Sequence, residues 1–241
     1  MGEYKARFKD APWFNEKPDI LIAGLGGIGS NAAYCLTKTI NGSFILVDMD
    51  RVDPINIGSQ FFMENNIGKS KVNATSLNIN SFLGEQSPKI MEAVNFIKED
   101  TIIPTKFTIY ISAFDNMKAR KDLFNLWKKN PNRELLIDGR LRANYYQVFV
   151  VTPEREEEYE KTLFDNSEAD DGVCTFKQTA YFGMLIGARI THMVVNYLSN
   201  KAFGEEINSL PFMVEEAGDA VWINIKEFET EKTTTDEIIS K

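Results

Sequence analysis

Short runs of consecutive apolar residues alternate with longer stretches of helical periodicity through the first half of the chain. Asp19–Ala23 (DILIA), bounded by Pro18 and a glycine cluster, reads as a strand buried on both faces. From Ile28 to Thr39 the residues Ile28, Ala32, Ala33 and Leu36 fall on one face of a helix, and Asn41-Gly42 stops it. Ser43–Val47 (SFILV) follows as a second strand, so the three segments predict a βαβ unit. Further on, the pattern predicts a helix over Ile67–Phe82, a strand over Lys106–Ala113 and a helix over Met117–Lys128 with Leu123, Phe124 and Trp127 inward. Glu134–Ile137 then leads into another strand. Such alternation predicts a mostly parallel sheet with helices on both faces.

Beyond that point the pattern changes. Asn144–Thr152 and Ala220–Phe228 read as longer strands, antiparallel to the rest, which makes the expected sheet a mixed one. Glu154–Glu160 (EREEEYE) is a charge run, read as a solvated helix face or loop, and Asp165–Asp171 reads as a flexible crossing. Thr175–Asn200 is the longest helical stretch, with Phe182, Leu185, Ile186, Ile190 and Val194 available for burial. The expected class is therefore α/β, a Rossmann-like, mostly parallel mixed sheet. At 241 residues the chain has the length for one large domain: an N-terminal arm over residues 1–18, the domain over 19–229 and a polar tail over 230–241.

Composition narrows the function classes. Thirty-five acidic against twenty-seven basic residues give a formal charge of −8, which disfavours a nucleic-acid backbone or an anionic membrane as partner. No window approaches the roughly 20 apolar residues of a membrane helix, and the N-terminus lacks the apolar stretch of a signal peptide. Cys35 and Cys174 form no Cys-x-x-Cys, so neither a disulfide framework nor a tetrathiolate zinc site is expected. A cytoplasmic location follows as the expectation. Trp13, Trp127 and Trp222 are scattered and read as structural anchors.

The chemistry lies in Gly24-Leu25-Gly26-Gly27-Ile28-Gly29-Ser30, a G-x-G-x-x-G pattern directly after a strand and at the start of a helix. Glycine permits the tight turn and removes the bulk that would keep phosphate oxygens from backbone N–H groups at a helix N-terminus. Asp48, at the end of the next strand, is placed to accept hydrogen bonds from ribose hydroxyls. These residues alone leave an NAD-dependent oxidoreductase as an alternative to an ATP-binding enzyme.

Taken in order, further residues resemble the ThiF/MoeB/HesA family, adenylating enzymes related to ubiquitin-activating enzymes. After the glycine loop come Asp48, Asp50 and Val52 for D-x-D-x-V, Asn56 and Gln60 for N-x-x-R-Q, Gly68 and Lys71 for G-x-x-K, and Asp115, Asn116 and Arg120 for D-N-x-x-x-R. The resemblance spans about residues 19 to 140, and the helix after Cys174 fits more loosely. It implies an ATP-dependent adenylyltransferase that activates the C-terminal carboxylate of a ubiquitin-like or sulfur-carrier protein through an acyl-adenylate. A homodimer whose long helix beyond Thr175 helps form the interface is implied as well. Gly24, Gly26, Gly27, Gly29, Asp48, Asp50, Lys71 and Asn116 are then the nucleotide-binding set, with Asp48 on the ribose, Lys71 on the phosphates, Asn56 near them and Asp115 holding Mg²⁺. Carboxylate attack on an α-phosphate builds negative charge on phosphate oxygens, for which a cation and a metal are suited; a dehydrogenase has no use for that pair. Taken without the resemblance, Asp50 and Asp53 serve turn geometry before Pro54, Asp115 caps a helix, and Lys71 is a solvated helix start.

The chain departs from the family pattern at Ser59, where the arginine of N-x-x-R-Q stands, and it lacks the zinc-binding cysteine pairs. Serine cannot replace a guanidinium fork on phosphate, so Arg7 in the N-terminal arm and Lys69 are candidate replacements, and a non-catalytic scaffold is a further alternative. Cys174 is a candidate nucleophile for a thioester or persulfide step, or else a small residue at a helix start. Cys35 reads as core, and His192, the sole histidine, as a packing or capping residue.

Overall fold

The structure, a computed structural model, describes residues 7–84, 87–95, 97–98, 100–142, 145–164, 180–217 and 222–227, with the backbone alone of Arg142 and Trp222. Five strands, β1 (Asp19–Ala23), β2 (Ser43–Val47), β3 (Ile90–Ala93), β4 (Ile109–Ser112) and β5 (Leu135–Arg142), run parallel. Three more, β6 (Tyr145–Val151), β7 (Met213–Ala217) and β8 (Trp222–Lys226), extend the sheet antiparallel from β5. The order across this single eight-stranded sheet is β3-β2-β1-β4-β5-β6-β7-β8.

The unbroken apolar runs over residues 20–23 (ILIA) and 44–47 (FILV) arise because these strands are covered on both faces. Successive residues go to opposite layers. Ile20, Ile22, Phe44 and Leu46 face a core shared with α1 (Gly27–Thr39), α2 (Lys71–Leu83) and α5 (Ala180–Phe203). Leu21, Ala23, Ile45 and Val47 face the other core, with α3 (Met117–Lys129) and α4 (Glu156–Glu160). The expected mixed α/β sheet with helices on both faces is thus present.

The crossing of α5 over α1 is set by two glycines. A Cβ on Gly183 would stand 2.5 Å from the Gly27 carbonyl oxygen, and one on Gly187 2.8 Å from the Ala32 nitrogen. Since neither backbone can yield, α5 fixes the start of α1 and with it the glycine turn. Trp13 packs against the same core, and the short 3-10 turn Pro12–Asn15 buries Phe14.

Several boundaries differ from the sequence expectation. The helix expected from Ile67 begins at Lys71, because Ser70 caps it by accepting from the Asn73 N–H at 3.4 Å and Glu64–Asn66 forms a separate 3-10 turn. The strand expected over Lys106–Ala113 contracts to β4. Two strands carry no clear signal: β3 is a half-exposed edge strand, and β7 (MVEEA) hides behind two glutamates whose carboxylates accept from the Tyr145 and Tyr146 hydroxyls across the sheet. The charge run becomes a 3-10 turn, Pro153–Arg155, followed by α4, and Tyr159 within it is fully buried. On α5, Phe182, Ile186, Ile190 and Val194 are buried as expected, whereas Leu185 lies on the outer face, 42% exposed. Residues 165–171, Cys174, the first five residues of the Thr175–Asn200 stretch and the tail over 230–241 lie outside the described residues.

Candidate nucleotide-binding site

The strand order reverses between β1 and β4: the chain leaves β1 for the α1 layer and leaves β4 for the α3 layer. Open α/β sheets bind ligands in the crevice beyond the strand ends at such a switch point. Ala23, the last residue of β1, pairs with Val47 on one side and Ser112 on the other. The glycine turn that follows it therefore lies between the segment carrying Asp48 and the segment carrying Asp115.

Within that turn the glycines have different duties. Gly24 adopts φ +83°, donates its N–H to the Val47 carbonyl at 2.9 Å, and leaves no room for a Cβ, which would lie 2.7 Å from the Ala113 carbonyl oxygen. A Cβ on Gly29 would sit 1.7 Å from the Gly24 carbonyl oxygen. These two close the turn on itself and against β4. At Gly26 a Cβ would meet no atom within 4 Å. Gly26 precedes the first helical residue, and the N–H groups of Gly27, Ile28 and Gly29 have no intrahelical acceptor, so the open side of the turn is where an anion can approach. The next N–H, that of Ser30, is already given to the Gly26 carbonyl at 3.0 Å, and Asn31 holds the Gly27 carbonyl at 2.7 Å.

Asp48 braces this turn. Its Oδ2 accepts from the Leu25 N–H at 2.6 Å and its Oδ1 from the Asp50 N–H at 2.7 Å. Burial pushes its carboxyl above the usual range despite those bonds and the nearby Lys71 ammonium. Lys71 opens α2, 8% exposed, and its Nζ donates to Asp50 Oδ2 at 3.0 Å while its backbone N–H donates to the Asp50 carbonyl at 2.8 Å. Lys71 is thus an anchored, largely desolvated cation rather than a solvated helix start, and Asp50 does more than shape a turn.

Asn56 accepts from the Asp53 N–H at 2.9 Å, closing a capping box around Pro54–Gly58. Ser59 ends that turn, its N–H bonded to the Asn56 carbonyl at 3.2 Å. Of the candidate replacement cations, Lys69 donates to the Asn65 carbonyl, and Arg7 is exposed beside Phe8, whose ring meets Trp13 at 6.3 Å. Asn116 is the cap of α3, accepting from the Ala119 N–H at 2.9 Å. The capping role weighed for Asp115 therefore falls to its neighbour. Asp115 itself is exposed and accepts from the Asn116 side-chain amide at 3.3 Å. Among the described residues no three histidine, cysteine or carboxylate side chains cluster to hold a metal. A lone carboxylate is the donor set of a magnesium ion that takes its other ligands from phosphates and water. Cys174 lies outside the described residues, Cys35 is half-buried with its thiol pushed up by burial, and His192 is exposed on α5.

Sequence reasoning missed the cluster behind Asp115. Asp138 on β5, fully buried, pairs with Arg120 and with Arg140 and accepts from the Tyr159 hydroxyl at 3.0 Å. Its only signal in the sequence is an aspartate ending the run Leu-Leu-Ile. Burial pushes the Asp138 carboxyl up, but Arg120 and Arg140 outweigh it and hold it below the usual carboxylate range. Its stabilising contribution is therefore complete above the unfolded value of about 4 and is lost as pH falls through the lower folded value. Melting temperatures are expected to drop steeply below about pH 4, and Asp138→Asn should start lower and flatten part of that drop. Parallel melting curves of the two proteins through the acid range would refute the assignment.

No helix among the described residues is long and apolar enough to cross a membrane. The ThiF family profile matches residues 15–232. A curated relative, ubiquitin-like modifier-activating enzyme 5 of Drosophila erecta, is 28% identical over 212 residues, which cover 77% of this chain and 50% of that protein. The enzyme of the same name from Caenorhabditis elegans is 29% identical over 112 residues, 42% of this chain and 27% of its own length. The chain spans half or less of these two relatives. Among solved structures, E. coli tRNA N6-threonylcarbamoyladenosine dehydratase, TcdA, in complex with ATP, superposes with a TM-score of 0.62 at 18% identity, over 83% of this chain and 94% of that one. At that identity the likeness is one of fold.

Proposed function

Because the chain belongs to the ThiF family, we propose that it is an ATP-dependent adenylyltransferase that activates the C-terminal carboxylate of a ubiquitin-like or sulfur-carrier protein. The observation that carries this reading is the open cradle at Gly26, with the anchored cation Lys71 and the exposed carboxylate Asp115 on the segments around it. In the reaction a carboxylate oxygen of the partner attacks the α-phosphorus of ATP, the bond to the bridging oxygen breaks, and pyrophosphate leaves with that electron pair. The N–H groups opening α1 receive phosphate oxygens, and Asp48 accepts from ribose hydroxyls with the lone pairs its two N–H donors leave unused. Lys71 supplies positive charge to the phosphates, exchanging Asp50 for them as its partner. Asp115 would hold Mg²⁺ together with phosphate oxygens, and that ion would neutralise charge developing on the leaving pyrophosphate.

The finer features follow from the same reading. The outer face of α5 presents Tyr181, Met184 and Leu185, all exposed, which suits the homodimer interface expected of this helix. The location proposed is cytoplasmic. Ser59 favours a second reading, a scaffold that binds nucleotide without turning it over, since neither Lys69 nor Arg7 makes a described contact with the glycine turn.

Thermal melts and pyrophosphate exchange separate these readings. ATP with Mg²⁺ at a hundredfold excess over its Kd should stabilise the protein by about 2.7 kcal/mol, raising Tm by roughly 5–10 °C, and NADH should leave it unchanged. Exchange of labelled pyrophosphate into ATP should appear only with a carboxylate partner present. A shift with NADH alone would overturn the assignment, and an ATP shift without exchange for any ubiquitin-like or sulfur-carrier partner would select the scaffold.

A further inference from the structure

Behind the turn that carries Asp115, one buried carboxylate gathers donors from three elements. Asp138 of β5, 0% exposed, takes the Arg120 guanidinium of α3 on Oδ1, and on Oδ2 it takes Arg140 Nε at 2.6 Å and the Tyr159 hydroxyl of α4 at 3.0 Å. Arg120, 6% exposed, also donates to the Gly139 carbonyl at 3.0 Å and to the carbonyl of Phe114, the residue immediately before Asp115. A buried ion pair adds little net stability over a well-packed apolar core, whereas the planar fork of an arginine fixes the direction of every group it binds. The Phe114–Asp115 peptide is thus held from the protein interior. The peptide before it, Ala113–Phe114, lies against Gly24, whose missing Cβ makes room for the Ala113 carbonyl, and the Asn116 cap follows Asp115 directly.

We propose that Arg120, oriented by Asp138 and Tyr159, is a positioning residue that sets where the Asp115 carboxylate stands relative to the glycine turn, and so sets the affinity for the magnesium-bound form of the nucleotide. The inference rests on the reading of Asp115 as the magnesium carboxylate. It assigns to the cluster a role that pure stabilisation of the fold does not require: the cluster acts on metal-dependent binding and leaves metal-free binding alone.

Calorimetric titration of a non-hydrolysable ATP analogue, with Mg²⁺ and again in EDTA, tests this on the whole chain. Wild type must bind more tightly with Mg²⁺; equal affinities would overturn the reading of Asp115 and this inference with it. Given that gain, Arg120→Lys, which keeps the charge and loses the fork, is expected to cut it about tenfold, as loss of a group supporting a metal ligand commonly does. Affinity in EDTA should stay within about twofold of wild type. Tyr159→Phe leaves the ring in the core and removes one bond to Asp138, so a loss of a few-fold in the same gain is expected. If Arg120→Lys does not fold, Tyr159→Phe decides. Variants that melt lower yet keep the full magnesium gain would show that the cluster only stabilises the fold and would overturn the proposal.

Discussion

The substitution Asp115→Asn is expected to lower the rate of ATP–pyrophosphate exchange by roughly a hundredfold or more while leaving the melting temperature of the free protein unchanged. The two halves of this expectation come from different facts. Asp115 is exposed, and its one described hydrogen bond, from the Asn116 amide at 3.3 Å, is a contact between neighbours on the surface; surface substitutions away from buried partners usually fall within about ±0.5 kcal/mol. The rate half follows from the proposed chemistry. An amide carries no charge to hold a magnesium ion, and removing one electrostatic group aimed at developing transition-state charge costs on the order of 10²–10³ in rate. Steady-state exchange assays alongside melts of both proteins check this directly. A variant that exchanges at wild-type rate would remove Asp115 from the reaction, and one that loses several degrees in Tm would mean the residue also supports the fold.

Adding one methyl group to the glycine turn is expected to have opposite consequences at its two ends. Gly29→Ala places a Cβ 1.7 Å from the Gly24 carbonyl oxygen and 3.2 Å from the Ala113 Cβ, so backbone must move. Overpacking of this severity costs about 3 kcal/mol or more, equivalent to a fall of roughly 6–12 °C in Tm for a domain of this size. Gly26→Ala meets nothing within 4 Å and has φ −73°, which any residue adopts, so the fold should survive intact. Its methyl instead fills the space through which phosphate oxygens reach the α1 N–H groups, and ATP affinity should fall at least about tenfold, the equivalent of roughly 1.4 kcal/mol. Melting curves and nucleotide titrations on the two variants separate the glycine that shapes the turn from the glycine that admits the ligand. Normal ATP binding by the Gly26→Ala variant would mean that no phosphate lies against this face of the turn.

Much of this site was legible in the chain because its determinants are local. The run DILIA, the glycines after it and the helical pattern from Ile28 specify strand, turn and helix through contacts a few residues apart, and the order of motifs from Gly24 to Arg120 adds the resemblance to a known family. Asp48 was legible for a similar reason, since a residue that ends the second strand of a βαβ unit stands beside the turn that ends the first. The start of α2 was missed because its true signal, Ser70 capping at Asn73, lies inside a stretch whose apolar spacing also suits an earlier start. β7 was missed because Glu215 and Glu216 look like surface residues until the tyrosines of β6 that donate to them are known.

The sequence by itself determined the alternation of strands and helices, the nucleotide-type turn and the acids that follow neighbouring strands, since each depends on side-chain type and short-range spacing. Only the tertiary structure decided which glycine is open and which is filled, that Lys71 is held by Asp50, and that Arg120, Arg140 and Tyr159 converge on Asp138. Lys71 and Asp50 stand 21 positions apart, as do Tyr159 and Asp138, and the Ala113 carbonyl that fills the place of a Gly24 Cβ comes from much further along the chain. The physical reason is that hydrogen bonds, ion pairs and steric contacts act over a few ångströms of space and carry no trace of chain separation, so a pattern read along the chain registers the partners but not the pairing.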